Sequence, residues 1–285
     1  MAEAAIDVSK LFSLAGKTAI VTGGTGGLGT AMTTALASGG ADIISIELPN
    51  DPSSSNTSKI VTDLGRKYTR YECDIRDPKQ LRSTYQKIWS DGRVADIVLN
   101  CAGVQRRAEA VDFTDEDIDA VIDINLKATL VSCQEFAKKN LSEGRPGKVI
   151  NISSIIAYIG GKNIMPYAAS KGGVLQVTKA MSNEWAEKGI QCNCIHPGKQ
   201  FYFIPFNEMA EPANAAAGYF RTPMTEQYSS DPKYKDFNDY VMGRVPAKRW
   251  GLPKDLSGTV IFLASDASDY ISGSSIIVDG GFMGM

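Results

Sequence analysis

The chain of 285 residues holds one histidine, His196, and this scarcity excludes any mechanism built on a pair of histidines or a cluster of histidine metal ligands. Its five cysteines, at 73, 101, 133, 192 and 194, form no CxxC pair. An odd count without paired spacing fits reduced thiols better than a disulfide framework or a zinc site, and points to the cytosol. Cys192 and Cys194 stand two apart in a strand-like run, so both are expected to face the core as small hydrophobes. There is no basic excess either. Lys+Arg number 30 against 32 Asp+Glu, a formal net charge of -2, which argues against nucleic acid as a partner. No apolar run approaches the roughly 18 residues of a membrane span. Residues 1–16 carry Glu3 and Asp7 where a secretory leader would be basic and then apolar. The expectation is a soluble, unprocessed cytoplasmic protein with no membrane partner and no metal.

What is present is a core and a rhythm. A hydrophobic content of 43% suffices for an ordinary interior. Short β-rich apolar runs at 18–21, 43–46, 97–99, 149–152, 190–195 and 275–278 alternate with longer helical segments. That alternation implies βαβ units, hence an α/β fold with a parallel sheet covered on both faces. Val174, Val177, Met181 and Trp185 recur at helical spacing. No linker divides the chain, and the polar stretch 49–58 reads as a surface loop, so residues 1–285 are taken as one domain behind an N-terminal tail, 1–15. One stretch breaks the rhythm. Residues 199–218 place four aromatics, Phe201, Tyr202, Phe203 and Phe206, in six positions and show neither strand nor helix period through the first half.

Three motifs carry chemistry. The first strand runs into Thr22-Gly23-Gly24-Thr25-Gly26-Gly27-Leu28-Gly29 and then a helical segment. Glycines allow close backbone approach, and a helix N-terminus attracts a pyrophosphate. A tight turn alone would explain the glycines, but the position straight after the first strand favours a dinucleotide. The second strand ends at Glu47, 24 positions after Gly23, where an acid accepts hydrogen bonds from the adenine ribose and repels a 2′-phosphate. No Lys or Arg stands in the glycine loop or just after Glu47, so NAD is expected over NADP; the competing reading is a solvated charge at a strand end. Tyr167 and Lys171, four apart at the start of a helix, share one face. An adjacent ammonium and a cationic nicotinamide would favour the phenolate and suit alcohol/ketone proton transfer, although YxxxK by itself is a common helix-surface pattern.

Together the motifs resemble the short-chain dehydrogenase/reductase family over nearly the whole chain. TGGTGGLG is similar to its TGxxxGxG loop, Asn100-Cys101-Ala102-Gly103 to its NNAG strand end and Tyr167-Ala168-Ala169-Ser170-Lys171 to its YxxxK. Ser154, 13 before Tyr167, has the spacing of the family serine, which selects it over Ser153; Asn125 matches the family asparagine, and Pro197-Gly198 the PG motif. The resemblance implies a doubly wound Rossmann-type domain with a seven-stranded parallel sheet, a homotetramer, and catalysis by Asn125, Ser154, Tyr167 and Lys171. In it Tyr167 exchanges the hydroxyl proton, Ser154 holds the substrate oxygen, Lys171 lowers the phenol pKa and holds the ribose, and Asn125 positions a water. It also implies cofactor contacts from Gly23, Thr25, Gly27, Leu28, Gly29, Glu47, Asp74, Ile75, Asn100, Ala102, Gly103, Tyr167, Lys171, Pro197, Gly198 and Thr222.

Two departures stand out. Cys101 replaces the second asparagine of NNAG, a small change that should be tolerated. The family threonine, four positions past the PG glycine, is matched by Thr222 only after removal of residues 199–218, which restores Pro197-Gly198-Tyr219-Phe220-Arg221-Thr222. That insertion is either an enlarged substrate lid or, the preferred reading, a translated intron, since it keeps the frame and rebuilds the motif when removed. Within the family the segments Ala102 to Arg107, Asn183-Glu184-Trp185-Ala186, Arg249-Trp250-Gly251-Leu252-Pro253 and Ala267-Ser268-Asp269-Tyr270 resemble sugar-acid dehydrogenases of the 2-deoxy-D-gluconate and 2-dehydro-3-deoxy-D-gluconate type. Arg106 and Arg107 are then candidates to grip a substrate carboxylate, or else two solvated loop arginines. A polyol, sorbose-like or secondary-metabolite ketone reductase stays open, as does a catalytically silent NAD-binding module.

Overall fold

The computed structural model describes residues 7–198, 220 and 231–284. After a short helix α1 (Val8–Leu11), the chain alternates β1 (Thr18–Thr22), α2 (Gly27–Ser38), β2 (Asp42–Glu47), α3 (Ser54–Asp63), β3 (Tyr68–Glu72), α4 (Pro78–Ser90) and β4 (Ile97–Asn100). A long helical rod follows: α5 (Asp115–Ile122), a π turn (Asp123–Lys127) and α6 (Ala128–Ser142). Next come β5 (Gly147–Ile152), α7 (Ile156–Ile159), α8 (Met165–Trp185), β6 (Ile190–Pro197), α9 (Lys235–Arg244), α10 (Ser257–Ala264) and β7 (Ser275–Val278).

The strands form a seven-stranded sheet in the order β3-β2-β1-β4-β5-β6-β7, and every pair is parallel. This is the doubly wound arrangement, with its topological switch point between β1 and β4. The strand pleat divides the core. Ala19, Val21, Ile43, Leu99 and Ile150 pack on one face with Met32 and Leu36 of α2 and Leu263 of α10. Ile20, Ile44, Val98, Val149 and Cys192 pack on the other with Leu81 and Tyr85 of α4, Phe136 of α6 and Met181 of α8. Alternate residues facing opposite layers is what a strand covered on both sides requires, and it explains why β4 and β5 are buried throughout.

Three differences from the sequence reading have plain causes. β3 shows no apolar run because it is an edge strand in which only Tyr71 is buried. α2 begins at Gly27 and takes the last glycines of the loop into its first turn, and α8 begins at Met165, so Tyr167 and Lys171 lie within the helix, ahead of its apolar stripe. All five cysteines are free; Cys192 and Cys194 are fully buried, as expected. No helix among the described residues is long and apolar enough to cross a membrane.

Candidate active site

The expected site residues converge at the carboxyl ends of β1, β4, β5 and β6, two of which flank the switch point. Gly23 leaves β1 at φ +68°, and a Cβ there would lie 2.6 Å from the Ala102 backbone, so the glycine loop rests directly on the chain leaving β4. Gly27, Leu28 and Gly29 form the first turn of α2, and its N-cap, Gly26, supplies no side-chain cap. The amides of that turn are therefore left to an outside acceptor, which fits a pyrophosphate. Thr25 donates its hydroxyl to Asp51 at 2.6 Å, tying the loop to the segment after β2.

Glu47 stands at the end of β2 as expected, but its partners are not those the sequence suggested. Its carboxylate is buried, accepts a short hydrogen bond from the Tyr68 hydroxyl and lies 3.0 Å from Arg70 Nε. Both partners come from β3, the strand with the weakest sequence signal. Burial, and then hydrogen bonding to this carboxylate, hold the Tyr68 phenol far above its usual range. A ribose hydroxyl would have to share Glu47 with these two groups. Asp74 is likewise committed: Arg76 clamps its carboxylate through Nε at 3.0 and 2.9 Å and holds it below the usual carboxylate range. Ile75 is half-buried against the α4 and α6 layer.

Asn100, paired in register with Asn151, donates to it at 2.9 Å and accepts from Ser132 at 2.6 Å; Asn151 in turn donates to Thr178 of α8 at 2.9 Å. This buried network clamps β4, β5, α6 and α8 beneath the site. Above it, Ala102 and Gly103 present backbone. A Cβ on Gly103 would stand 3.3 Å from Asn125 Oδ1 and 3.5 Å from Lys171 Nζ, which brings three expected site residues to one point. Asn125 is fully buried in the π turn. It accepts from Val104 N at 2.8 Å, donates to Val104 O at 2.9 Å and donates to Ser170 Oγ at 3.1 Å. These bonds tie its amide to the Val104 loop and to Ser170.

Ser153 and Ser154 follow β5. Ser153 donates to the Lys171 carbonyl at 2.8 Å, which commits it to the helix backbone and leaves Ser154 as the serine that hydrogen-bonds Tyr167. Burial pushes the Tyr167 phenol up to about 12, and the Ser154 hydrogen bond offsets part of that rise. Burial lowers Lys171 to about 8. Its ammonium donates to Ile152 O at 2.7 Å and lies 5.7 Å from the centre of the Tyr167 ring. The sequence led us to expect a phenol depressed by this neighbour. Desolvation wins instead, because the charge is turned toward the end of β5. Pro197 closes β6, and the Gly198 amide donates to Val278 O at 2.8 Å.

Past Val104, Arg106 is held by Asp117 of α5 at 3.1 Å, while Arg107 is half-buried. The sequence could not show the Asp117 partner, which lies across a loop from Arg106. Thr222 and residues 199–218 lie outside the described residues. Residues 17–200 match the family model described as short chain dehydrogenase. The chain belongs to the short chain dehydrogenase family. A second model, described as enoyl-(acyl carrier protein) reductase, matches residues 213–283, so residues 201–212 fall between the two. Over 272 residues, 95% of this chain and 97% of the relative, this short chain dehydrogenase is 38% identical to the 2-dehydro-3-deoxy-D-gluconate 5-dehydrogenase of Escherichia coli K12. It is 33% identical to the gluconate 5-dehydrogenase of Gluconobacter oxydans, covering 95% and 96% of the two chains. Among solved structures it is similar to a gluconate 5-dehydrogenase from Burkholderia cenocepacia in complex with NADP and tartrate, with a TM-score of 0.82, 31% identity and coverage of 97% and 99%.

Proposed function

We propose that this oxidoreductase transfers hydride between a nicotinamide dinucleotide and a secondary alcohol or ketone of a sugar acid. The observation that carries this reading is the group of buried Ser154 and Lys171 with half-buried Tyr167, gathered beside a glycine cradle that a side chain would fill. The similarity to sugar-acid dehydrogenases over nearly the full length supports the substrate class.

Each side chain then has a distinct task. Ser154 donates to the substrate oxygen and stabilises charge developing there. Tyr167 exchanges the hydroxyl proton. Lys171, anchored at Ile152 O, is placed to hold the nicotinamide ribose beside Gly103. Asn125 keeps the Val104 loop and α8 in register. The bound dinucleotide supplies the hydride carrier and, when oxidised, a positive charge that favours the Tyr167 phenolate.

NAD is preferred over NADP in this reading, because Glu47 and Asp51 make the end of β2 acidic and the glycine loop carries no basic residue. Arg70, which neutralises part of Glu47, makes that preference modest. Turnover of a panel of sugar acids, polyols and cyclic ketones with both dinucleotides tests all of this. A sugar acid should be the best substrate, and Arg107→Ala should raise its KM roughly tenfold or more while leaving a neutral polyol unaffected. Arg106→Ala should act in the same direction, by an amount that its pairing with Asp117 reduces. A flat response across the panel would favour the polyol or ketone reading. Absence of turnover with intact dinucleotide binding would favour a silent binding module.

A further inference from the structure

The only histidine in the sequence lies against the catalytic serine. His196 is fully buried near the end of β6, with Nδ1 2.9 Å from the Ser154 carbonyl oxygen and Nε2 2.9 Å from Cys194 Sγ; the Tyr158 ring covers it at 5.0 Å between centroids. These contacts fix the protons. A carbonyl can only accept, so Nδ1 carries the hydrogen, and in a neutral ring Nε2 is then the acceptor for the Cys194 thiol. Burial lowers the His196 pKa and raises that of Cys194, so the neutral ring and the protonated thiol are both favoured.

The backbone explains why a side chain is needed at this point. The last close rung between β5 and β6 runs from Ser153 N to Ile195 O at 2.9 Å. The next would come from the N–H of residue 197, which is proline and has none. Ile155 N reaches Pro197 O only at 3.5 Å. The sheet therefore lets go of the chain at the residue that must be held for catalysis. The imidazole takes up the hold one residue later, sharing the Ser154 carbonyl with the Ala157 amide at 3.0 Å.

We propose that His196 is a positioning residue for Ser154: its Nδ1–H anchors the Ser154 carbonyl where the strand ladder fails, and so aims the Ser154 hydroxyl at Tyr167 and the substrate oxygen. The proposal rests on the sugar-acid oxidoreductase reading for its kinetic arm only. Asparagine can offer an amide donor near the position of Nδ1; alanine cannot. With the sugar acid that the wild-type turns over, His196→Ala lowers kcat by about tenfold to a hundredfold. His196→Asn recovers much of the loss. NAD affinity, measured by titrating intrinsic fluorescence, stays within about twofold in both, since His196 makes none of the proposed dinucleotide contacts.

A merely structural histidine is separated by a second background. In Ser154→Ala protein the further change His196→Ala costs less than about twofold, because the group it aims is gone. An equal loss in both backgrounds, or a parallel loss of NAD affinity, overturns the proposal. A spectroscopic arm needs no substrate. ¹⁵N-histidine labelling gives one imidazole, expected to be neutral at neutral pH with its hydrogen on Nδ1 and to titrate below the ordinary histidine range, because burial disfavours the charged ring. A ring that titrates near its ordinary pKa, or carries its hydrogen on Nε2, overturns the proposal even if no sugar acid is turned over. Absence of sugar-acid turnover with the expected imidazole spectrum counts against the substrate reading and supports the His196 anchor.

Discussion

The two halves of the sheet build their part of the site from different materials. Around β1 to β3 the cradle is backbone: a glycine turn resting on Ala102, a helix N-terminus without a side-chain cap, and acids already committed to Tyr68, Arg70 and Arg76. Around β4 to β6 the site is side chain: a buried network through Asn100, Asn151, Ser132 and Thr178 supports Ser154, Tyr167 and Lys171. Backbone recognition binds a shared scaffold of the ligand and tolerates a partly exposed edge strand. Proton transfer needs groups held in one orientation away from water, so it sits where the sheet is covered on both faces.

The contrast is broken most sharply at Tyr167. Tyr167→Phe keeps the ring and removes the exchanging hydroxyl, so turnover should fall by about a thousandfold or more while NAD still binds. Single-turnover assays paired with fluorescence titration check this, and substantial remaining activity would refute the assignment. Gly23→Ala attacks the other half. Its Cβ would overlap the Ala102 backbone at a positive φ, so NAD affinity should drop at least tenfold, roughly, with most of the fold retained. Calorimetric binding and melting curves separate the two effects.

Lys171→Met sharpens the comparison through pH. In the folded protein burial holds Lys171 at about 8, below its ordinary value of 10.5. Between those values the unfolded chain holds a proton that the folded chain has lost, so wild-type stability should rise with pH through that window. The variant lacks that contribution. Wild-type minus variant Tm should therefore grow from neutral to alkaline pH, and a constant difference would count against the desolvated ammonium. The smallest effect is expected at Glu47. Glu47→Gln should shift the NAD to NADP preference by only about twofold to fivefold, because Arg70 and Tyr68 already share the carboxylate. A larger collapse of preference would restore Glu47 as the principal ribose acceptor.

Sequence legibility follows the same division. The glycine loop, the strand rhythm and the Tyr167 and Lys171 pair are local patterns, so each was readable, and the parallel order followed from the family resemblance. Partners brought together from distant segments were not. Nothing local joins Glu47 to Tyr68 and Arg70, Arg106 to Asp117, or His196 to Ser154. β3 escaped because an edge strand needs few apolar residues, and the Tyr167 pKa escaped because spacing reveals a neighbouring charge and says nothing of desolvation.

The π turn at Asp123–Lys127, closed by the Ala128 amide on the Asp123 carbonyl, makes the rod from α5 to α6 one residue longer than an α-helix would need. That extra residue works as a phase shift. It lets one rod present α5 to α8 and α6 to α4, while Asn125 turns inward at the node. Removing one residue from the turn would leave an ordinary helix of nearly unchanged helicity, yet rotate everything on one side of the node by about 100°. The protein would then keep its spectrum of secondary structure and lose the lock on Val104, so a length change of a single residue is the mutation that far-UV circular dichroism would miss and a kinetic assay would not.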